Sequence, residues 1–135
     1  MSKFDNAMRR QALSLPALLE EQYHDLEPKA RSILSFQEIF SIQRIILTGC
    51  GDSRAASMAV KLAFEELTGI PTEVVTALDL SRYYDPKQLG FAPRNPLVIA
   101  VSNSGGVARV GEAIQRAVGA VSYTHLRAHE TVLDL

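Results

Sequence analysis

Two short apolar runs, each followed by small residues and then by a helical pattern, constrain the fold of this chain most strongly. They are RIILTG at 44–49 and PLVIAVS at 96–102. Nearly every position is apolar, so each run predicts a strand that is buried on both faces. A third strand, TEVVTAL, is predicted at 72–78. The sequence therefore predicts an α/β protein with three layers, in which helices cover both faces of a parallel sheet.

The segments between and before the strands have helical patterns. Residues 5–40 carry leucines close to a 3.6-residue period, with Pro16 tolerated early in a helix and a break or a second start expected at Pro28. Further predictions are a helix at 54–69 that stops at Gly69, a short helix and loop at 79–95, a turn at 103–106 and a helix at 107–119.

The domain organisation follows from this order of elements. Residues 1–43 are expected to form an N-terminal helical segment, and 44–120 an α/β domain that is truncated after about three strands. The chain has 135 residues, which suffice for one domain.

Composition excludes several functional classes. The net charge of −1 predicts no binding of nucleic acid or of an anionic membrane. The single cysteine excludes an internal disulfide and a cysteine-rich zinc site. No signal peptide or membrane-spanning run is found, so a cytoplasmic protein is expected. No cofactor is expected.

The turns after the first and third strands carry the candidate chemistry. Both lead directly into helices, whose N-termini offer unpaired N–H groups to an anion such as phosphate. Either turn alone is explained as well by capping and turn formation. Both together, at neighbouring strand ends, favour a ligand site. Its candidate residues are Cys50, Gly51, Asp52, Ser53, Ser102, Asn103, Ser104, Gly105 and Gly106.

The stretches IILTGCGDSRAA and LVIAVSNSGGVARVGEAI resemble the sugar isomerase (SIS) domain family over roughly residues 10–120. The likeness is greatest to the isomerase half of glucosamine-6-phosphate synthase and to standalone phosphosugar isomerases and deglycases. It implies a flavodoxin-like, five-stranded parallel sheet and a homodimer of the full-length protein. It also implies that Ser102, Asn103 and Ser104 hold a sugar phosphate, and that the turn from Cys50 to Ser53 lines the sugar.

The chain departs from the family pattern at three positions. Relatives often have threonine at the position of Asp52, and an acid followed by threonine at those of Gly106 and Val107. The change at Val107 removes one hydroxyl donor, and the carboxylate of Asp52 would repel a phosphate. Arg54 and Arg109 are candidates to offset that charge, although both are also explained as solvated helix residues.

Other residues have plain interpretations. Cys50 is expected to be a small packed residue at a strand end, and His24 to be structural or exposed. Asp79 can reach a ligand or cap the segment that follows it.

The resemblance implies a sugar-phosphate isomerase or an amino-sugar-phosphate deaminase or deglycase. Its catalytic base is expected beyond residue 120, so no catalytic residue is assigned and the fragment is expected to be inactive. Two alternatives remain open. One is a phosphosugar-sensing domain of a regulator, although residues 1–40 hold no basic recognition helix. The other is a Rossmann-type nucleotide-binding domain, although Arg54 stands where its third glycine belongs.

The last segment is expected to be foreign to the protein. His125 and His129 have the i,i+4 spacing of a zinc-binding pair. Back-translation of residues 121–131, however, matches in frame the transposon adapter used in tagmentation sequencing libraries. We therefore expect 121–135 to be translated adapter and assign no metal site. Met1 is expected to be the natural start.

Overall fold

The computed structural model describes residues 6–85 and 96–120. It divides into two compact units, one up to Ser35 and one from Phe36 onward. The expectations for 86–95, for 121–135 and for the pair His125 and His129 lie outside the described residues.

The first unit is a single helix, α1 (Ala7–Ile33). Asn6 caps it by accepting a hydrogen bond from the amide of Arg9 at 2.9 Å. The helix continues through both prolines, so the expected break at Pro28 is absent. Two i,i+4 ion pairs lie near its end, Asp25 with Lys29 and Glu27 with Arg31. The hydrogen bond to Glu27 raises the pKa of the Arg31 guanidinium.

The second unit contains three strands and four helices in the described residues. Its elements in chain order are α2 (Phe36–Ser41), β1 (Arg44–Gly49), α3 (Asp52–Thr68), β2 (Thr72–Thr76), α4 (Ala77–Arg82), β3 (Pro96–Val101) and α5 (Ala108–Ala120).

The strands form a parallel sheet in the order β2-β1-β3. Gly49 at the end of β1 lies opposite Thr76 on one side and Val101 on the other. The three strands therefore end at the same level. The prediction of an α/β protein with a parallel sheet is confirmed.

The strand β2 is shorter than predicted. It ends at Thr76, and α4 begins at Ala77. The Thr76 hydroxyl accepts a hydrogen bond from the amide of Asp79 at 3.0 Å and donates one to the Asp79 carboxylate at 2.6 Å. This cap favours the start of a helix at Ala77, because the Thr76 hydroxyl provides a partner for the amide N–H of Asp79, which has none within the first helical turn.

The core lies between the sheet and helices α4 and α5. Ile46 on the central strand is fully buried there and packs with Val75, Leu80 and Val110. Alternation along β1 directs Ile45 and Leu47, which are also buried, to the opposite face. Burial of each large aliphatic side chain contributes about 1.5–3 kcal/mol, so the central strand anchors both layers.

The junction of β1 and α3 is too close for a side chain at Gly49. A Cβ atom there would lie 3.0 Å from the carbonyl oxygen of Val101 and 3.0 Å from Cβ of Ser53. Gly111, in contrast, has open space around the position of its Cβ.

We therefore expect Gly49→Ala to lower the free energy of unfolding by about 1–3 kcal/mol, because backbone atoms must move to admit the methyl group. Gly111→Ala is the matched control and should raise it by about 0.5–1 kcal/mol, since alanine favours the helix. Urea unfolding followed by circular dichroism measures both changes. Equal effects of the two substitutions would contradict the close approach at Gly49.

Candidate functional site

The two predicted turns lie at neighbouring strand ends. Gly49 is paired with Val101, so the next residues, Cys50 and Ser102, leave adjacent parallel strands at the same level. Neighbouring strands are about 4.8 Å apart, which places both turns on one short edge of the sheet. The expected adjacency of the two turns is confirmed, because β3 pairs directly with β1.

The first turn is a tight connection that exposes the start of α3. The amide of Ser53 donates to the carbonyl of Cys50, and the amides of Arg54 and Ala55 donate to that of Gly51, each at 3.1 Å. Gly51 has a positive φ of 53°, a conformation that suits glycine. No side chain caps this helix. The positive end of the helix dipole at this N-terminus faces the carboxylate of Asp52, which stands in the first turn.

The second turn is ordered by its own serines. The hydroxyl oxygen of Ser102 accepts a hydrogen bond from the amide of Gly105 at 3.1 Å, and that of Ser104 accepts from Gly106 at 3.4 Å. Each hydroxyl keeps its hydrogen and can donate it to an anion. Gly105 has a φ of 66°, and the turn from Asn103 to Gly106 is exposed. The turn thus presents two oriented hydroxyl donors to solvent.

The helix that follows the second turn begins without a polar cap. The carbonyl of Val107 accepts from the amides of Val110 and Gly111 at 2.9 and 3.3 Å, which makes Val107 the N-cap residue of α5. A valine side chain cannot accept a hydrogen bond from the first turn of the helix. The α5 N-terminus is therefore open to an external acceptor.

The two candidate arginines have different surroundings. Arg109 donates to Glu112 at 2.6 Å. Arg54 lines an open groove of ≈ 380 Å³ together with Lys61 and the first residues of β2, and its buried Nε has no partner in the described part of the chain. Asp52 itself is exposed at the start of α3. The offsetting of its charge by either arginine finds no support in these contacts.

The remaining singled-out residues have structural surroundings. Cys50 is half-buried, carries a free thiol and packs against the core cluster around Ile46. Asp79 belongs to the cap of α4. His24 is exposed on α1, with its ring edge-on to Tyr23 at 5.9 Å between centroids.

One polar group near the site was not anticipated from the sequence. Thr48 directly precedes Gly49 and is fully buried, and its hydroxyl has no hydrogen-bond partner among the described residues. Such orphaned groups are rare in protein interiors. A threonine inside a β-branched run is typical of an ordinary strand, so the sequence does not indicate that the Thr48 hydroxyl lacks a partner.

Residues 6–85 and 96–120 contain neither a candidate metal cluster nor a candidate membrane span. No group of three or more histidine, cysteine or acidic side chains within these ranges could hold a metal ion. None of the helices described there is long and apolar enough to cross a membrane.

Comparison with known proteins identifies relatives. The family model of the SIS domain matches residues 38–120. The chain is 37% identical over 84 residues to a glutamine–fructose-6-phosphate aminotransferase (isomerizing) of Mycolicibacterium smegmatis, which covers 62% of this chain and 13% of the relative. It is 38% identical over 101 residues to the enzyme of that name from Gloeobacter violaceus, which covers 73% of this chain and 15% of the relative.

A solved structure shares the fold. The crystal structure of tagatose-6-phosphate ketose/aldose isomerase from Escherichia coli superimposes with a TM-score of 0.53 and 24% identity, over 85% of this chain and 29% of the other. The chain spans only about an eighth of the length of the aminotransferases that it matches. Because the family model matches more than half of the chain, including all three described strands and both turns, the chain belongs to the SIS domain family.

Proposed function

We propose that the two turns together bind a sugar phosphate or an amino-sugar phosphate. The observation that carries the proposal is the parallel pairing of β1 with β3, which brings two donor-rich turns to one edge. In this proposal Ser102, Asn103, Ser104, Gly105 and Gly106 hold the phosphate. Cys50, Gly51, Asp52 and Ser53 line the sugar.

The division of roles rests on the chemistry of each turn. The second turn has two hydroxyl donors and an uncapped helix start, which together suit the several oxygens of a phosphate. The first turn places the carboxylate of Asp52 at the α3 N-terminus. A carboxylate repels phosphate but accepts hydrogen bonds from sugar hydroxyls and attracts an ammonium group. Asp52 therefore favours an amino sugar or a free hydroxyl at its end of the ligand.

The names of the relatives support a sugar phosphate as the ligand class. The aminotransferases are named for fructose 6-phosphate, and the structural neighbour for tagatose 6-phosphate. We propose that the full-length protein is a sugar-phosphate isomerase or an amino-sugar-phosphate deaminase or deglycase, and that it acts as a homodimer. Both activities need a base beside the carbon that loses its proton. We assign no catalytic residue among residues 1–120.

Calorimetric titration and thermal shift of the chain test the ligand class. Glucosamine 6-phosphate and fructose 6-phosphate should bind and raise the melting temperature, because a ligand that binds only the folded state stabilises it. Fructose, NAD and S-adenosylmethionine should leave the melting temperature unchanged. Ser104→Ala should weaken binding about tenfold or more, since it removes a hydrogen bond to a charged group.

The matched control is Ser41→Ala. Ser41 is an exposed serine of α2 whose hydroxyl donates to the carbonyl of Glu38, away from the strand ends. Loss of the Ser41 hydroxyl should leave the affinity for sugar phosphates unchanged. Stabilisation by NAD or S-adenosylmethionine without any effect of the sugar phosphates would contradict the proposal and favour a nucleotide-binding domain.

A second prediction concerns the departure at Val107. Val107→Thr should stabilise the protein by about 1 kcal/mol, because a threonine at the N-cap accepts a hydrogen bond from the first turn of α5. Its hydroxyl can also donate to a phosphate, so affinity for sugar phosphates should rise in the same variant.

Val118→Thr is the control for Val107→Thr, since Val118 is exposed near the other end of α5 and caps nothing. Chemical denaturation and the same calorimetric titration measure stability and affinity. A Val107→Thr variant that behaves like Val118→Thr in both assays would contradict the assignment of residue 107 to the site.

A further inference from the structure

Two arginines share one carboxylate oxygen beside the start of α5. The Oε2 atom of Glu112 accepts a hydrogen bond from Arg109 on the same helix at 2.6 Å and one from Arg82 on α4 at 3.2 Å. These three side chains therefore carry one positive charge more than the carboxylate neutralises. We propose that Arg109 is a specificity-determining residue, which leaves Glu112 when a ligand binds, pairs with the ligand's phosphate and so selects a dianionic ester. The inference rests on the proposed function.

Arg109 lies within reach of the second turn. It is the second residue of α5, so its Cα is about 3 Å along the helix axis from that of the N-cap residue Val107. An extended arginine side chain measures about 6 Å from Cα to the guanidinium carbon. Long side chains on helices point back toward the N-terminus. A phosphate at the open start of α5 therefore lies within range of the Arg109 guanidinium.

Release of Arg109 from Glu112 is cheap. The two side chains are 45% and 38% exposed, and an ion pair as exposed as this one shifts an equilibrium by at most about fivefold. Glu112 also stays paired after the release, because Arg82 still donates to it. A phosphate ester carries up to about twice the charge of a carboxylate, so it attracts the guanidinium more strongly. Exchange of Glu112 for a phosphate therefore favours binding.

The three side chains are not explained by the joining of helices alone. The ion pair of Arg82 with Glu112 connects α4 to α5. The pair of Arg109 with Glu112 has i,i+3 spacing within α5 and connects no two elements. One arginine thus suffices to hold the helices together through Glu112. The second one supplies a charge that is available at the helix start.

The charge of Arg109 makes the site sensitive to the charge of its ligand. The hydroxyls of Ser102 and Ser104 bind an anion as dipoles, and they can donate to a sulfate ester as well as to a phosphate ester. Coulomb attraction to a guanidinium is about twice as large for a phosphate ester near charge −2 as for a singly charged sulfate ester. Arg109 therefore widens the preference for phosphate.

Calorimetric titration of the chain with glucosamine 6-phosphate tests the role of Arg109. Arg109→Gln should weaken binding about tenfold or more, because it removes a charge-assisted hydrogen bond. Arg82→Gln is the matched control, since it removes the other hydrogen bond to the same oxygen of Glu112. It should change the affinity by no more than about threefold. Equal losses in the two variants would overturn the proposal.

Glucosamine 6-sulfate tests the selection by charge. The unsubstituted chain should bind the phosphate ester more tightly than the sulfate ester. Arg109→Gln should lower the ratio of the two association constants by about threefold or more, because the guanidinium attracts the dianion more strongly. A purely structural role of Arg109 would weaken both esters equally. An unchanged ratio would therefore overturn the selection.

A double-mutant cycle tests the release from Glu112. Glu112→Gln should raise the affinity for glucosamine 6-phosphate by about twofold to fivefold, because Arg109 then has no ion pair to leave. Most of this gain should disappear when Glu112→Gln is combined with Arg109→Gln. An equal gain without Arg109 would show that Glu112 only repels the ligand, and would overturn the exchange.

The outcomes separate this inference from the proposed function. If neither ester binds to the unsubstituted chain, the sugar-phosphate site is wrong and the role of Arg109 falls with it. If glucosamine 6-phosphate binds equally to the unsubstituted chain and to Arg109→Gln, the site stands and the role of Arg109 alone is overturned. Circular dichroism of each variant shows that its helix content is unchanged, so that losses of affinity are not losses of fold.

Discussion

The parallel pairing of β1 with β3 is the constraint on which the rest of the second unit depends. It fixes Gly49 opposite Val101, so the chain leaves two adjacent strands at one level. Glycine suits this position, because a Cβ atom at residue 49 would lie only 3.0 Å from atoms of Ser53 and Val101. Gly49 thus allows β1 to pair closely with β3 and allows the tight turn into α3, and the strand pairing brings the two turns together. Both the stability of the sheet and the geometry of the candidate site therefore depend on Gly49.

In the proposed site, backbone groups and small side chains would bind an anion without a cationic cluster. Ser102 and Ser104 use their oxygens to order the turn and keep their hydrogens for a ligand. Neither α3 nor α5 begins with a side-chain cap, but the amides of Ser53 and Arg54 in α3 already donate to the carbonyls of Cys50 and Gly51, so the open N–H groups are those at the start of α5. Of the two arginines near the turns, Arg109 pairs with Glu112, whereas Arg54 lies beside β2 and its buried Nε has no partner in the described residues. Under this proposal, recognition by oriented dipoles makes the near-neutral net charge compatible with an acidic ligand.

The sequence allowed prediction of the sheet and its turns because those features depend on local patterns. The largely apolar runs at 44–49 and 96–102 form the predicted strands, and β1 is buried almost along its whole length. The predicted burial of the second run was wrong: β3 is only half-buried after Pro96, because it lies at the edge of the described sheet. Gly69 ends α3 in the left-handed conformation expected of it. The end of β2 was missed because apolar Ala77 and Leu78 suit a strand as well as a helix, and the Thr76 cap decided between them. Pro28 did not break α1, since a proline can be accommodated in a helix that keeps its other hydrogen bonds. The orphaned hydroxyl of Thr48 depends on tertiary surroundings that a single sequence does not reveal.

The central claim is that the two turns form one site. Amide chemical shifts of the chain, recorded by NMR during titration with glucosamine 6-phosphate, test it most directly. The account predicts that Gly51 and Asp52 in one turn and Gly105 and Gly106 in the other shift together and yield one dissociation constant. Gly69, at the far end of α3, should stay unchanged as the internal reference. Shifts in only one turn, or two different dissociation constants, would contradict a shared site.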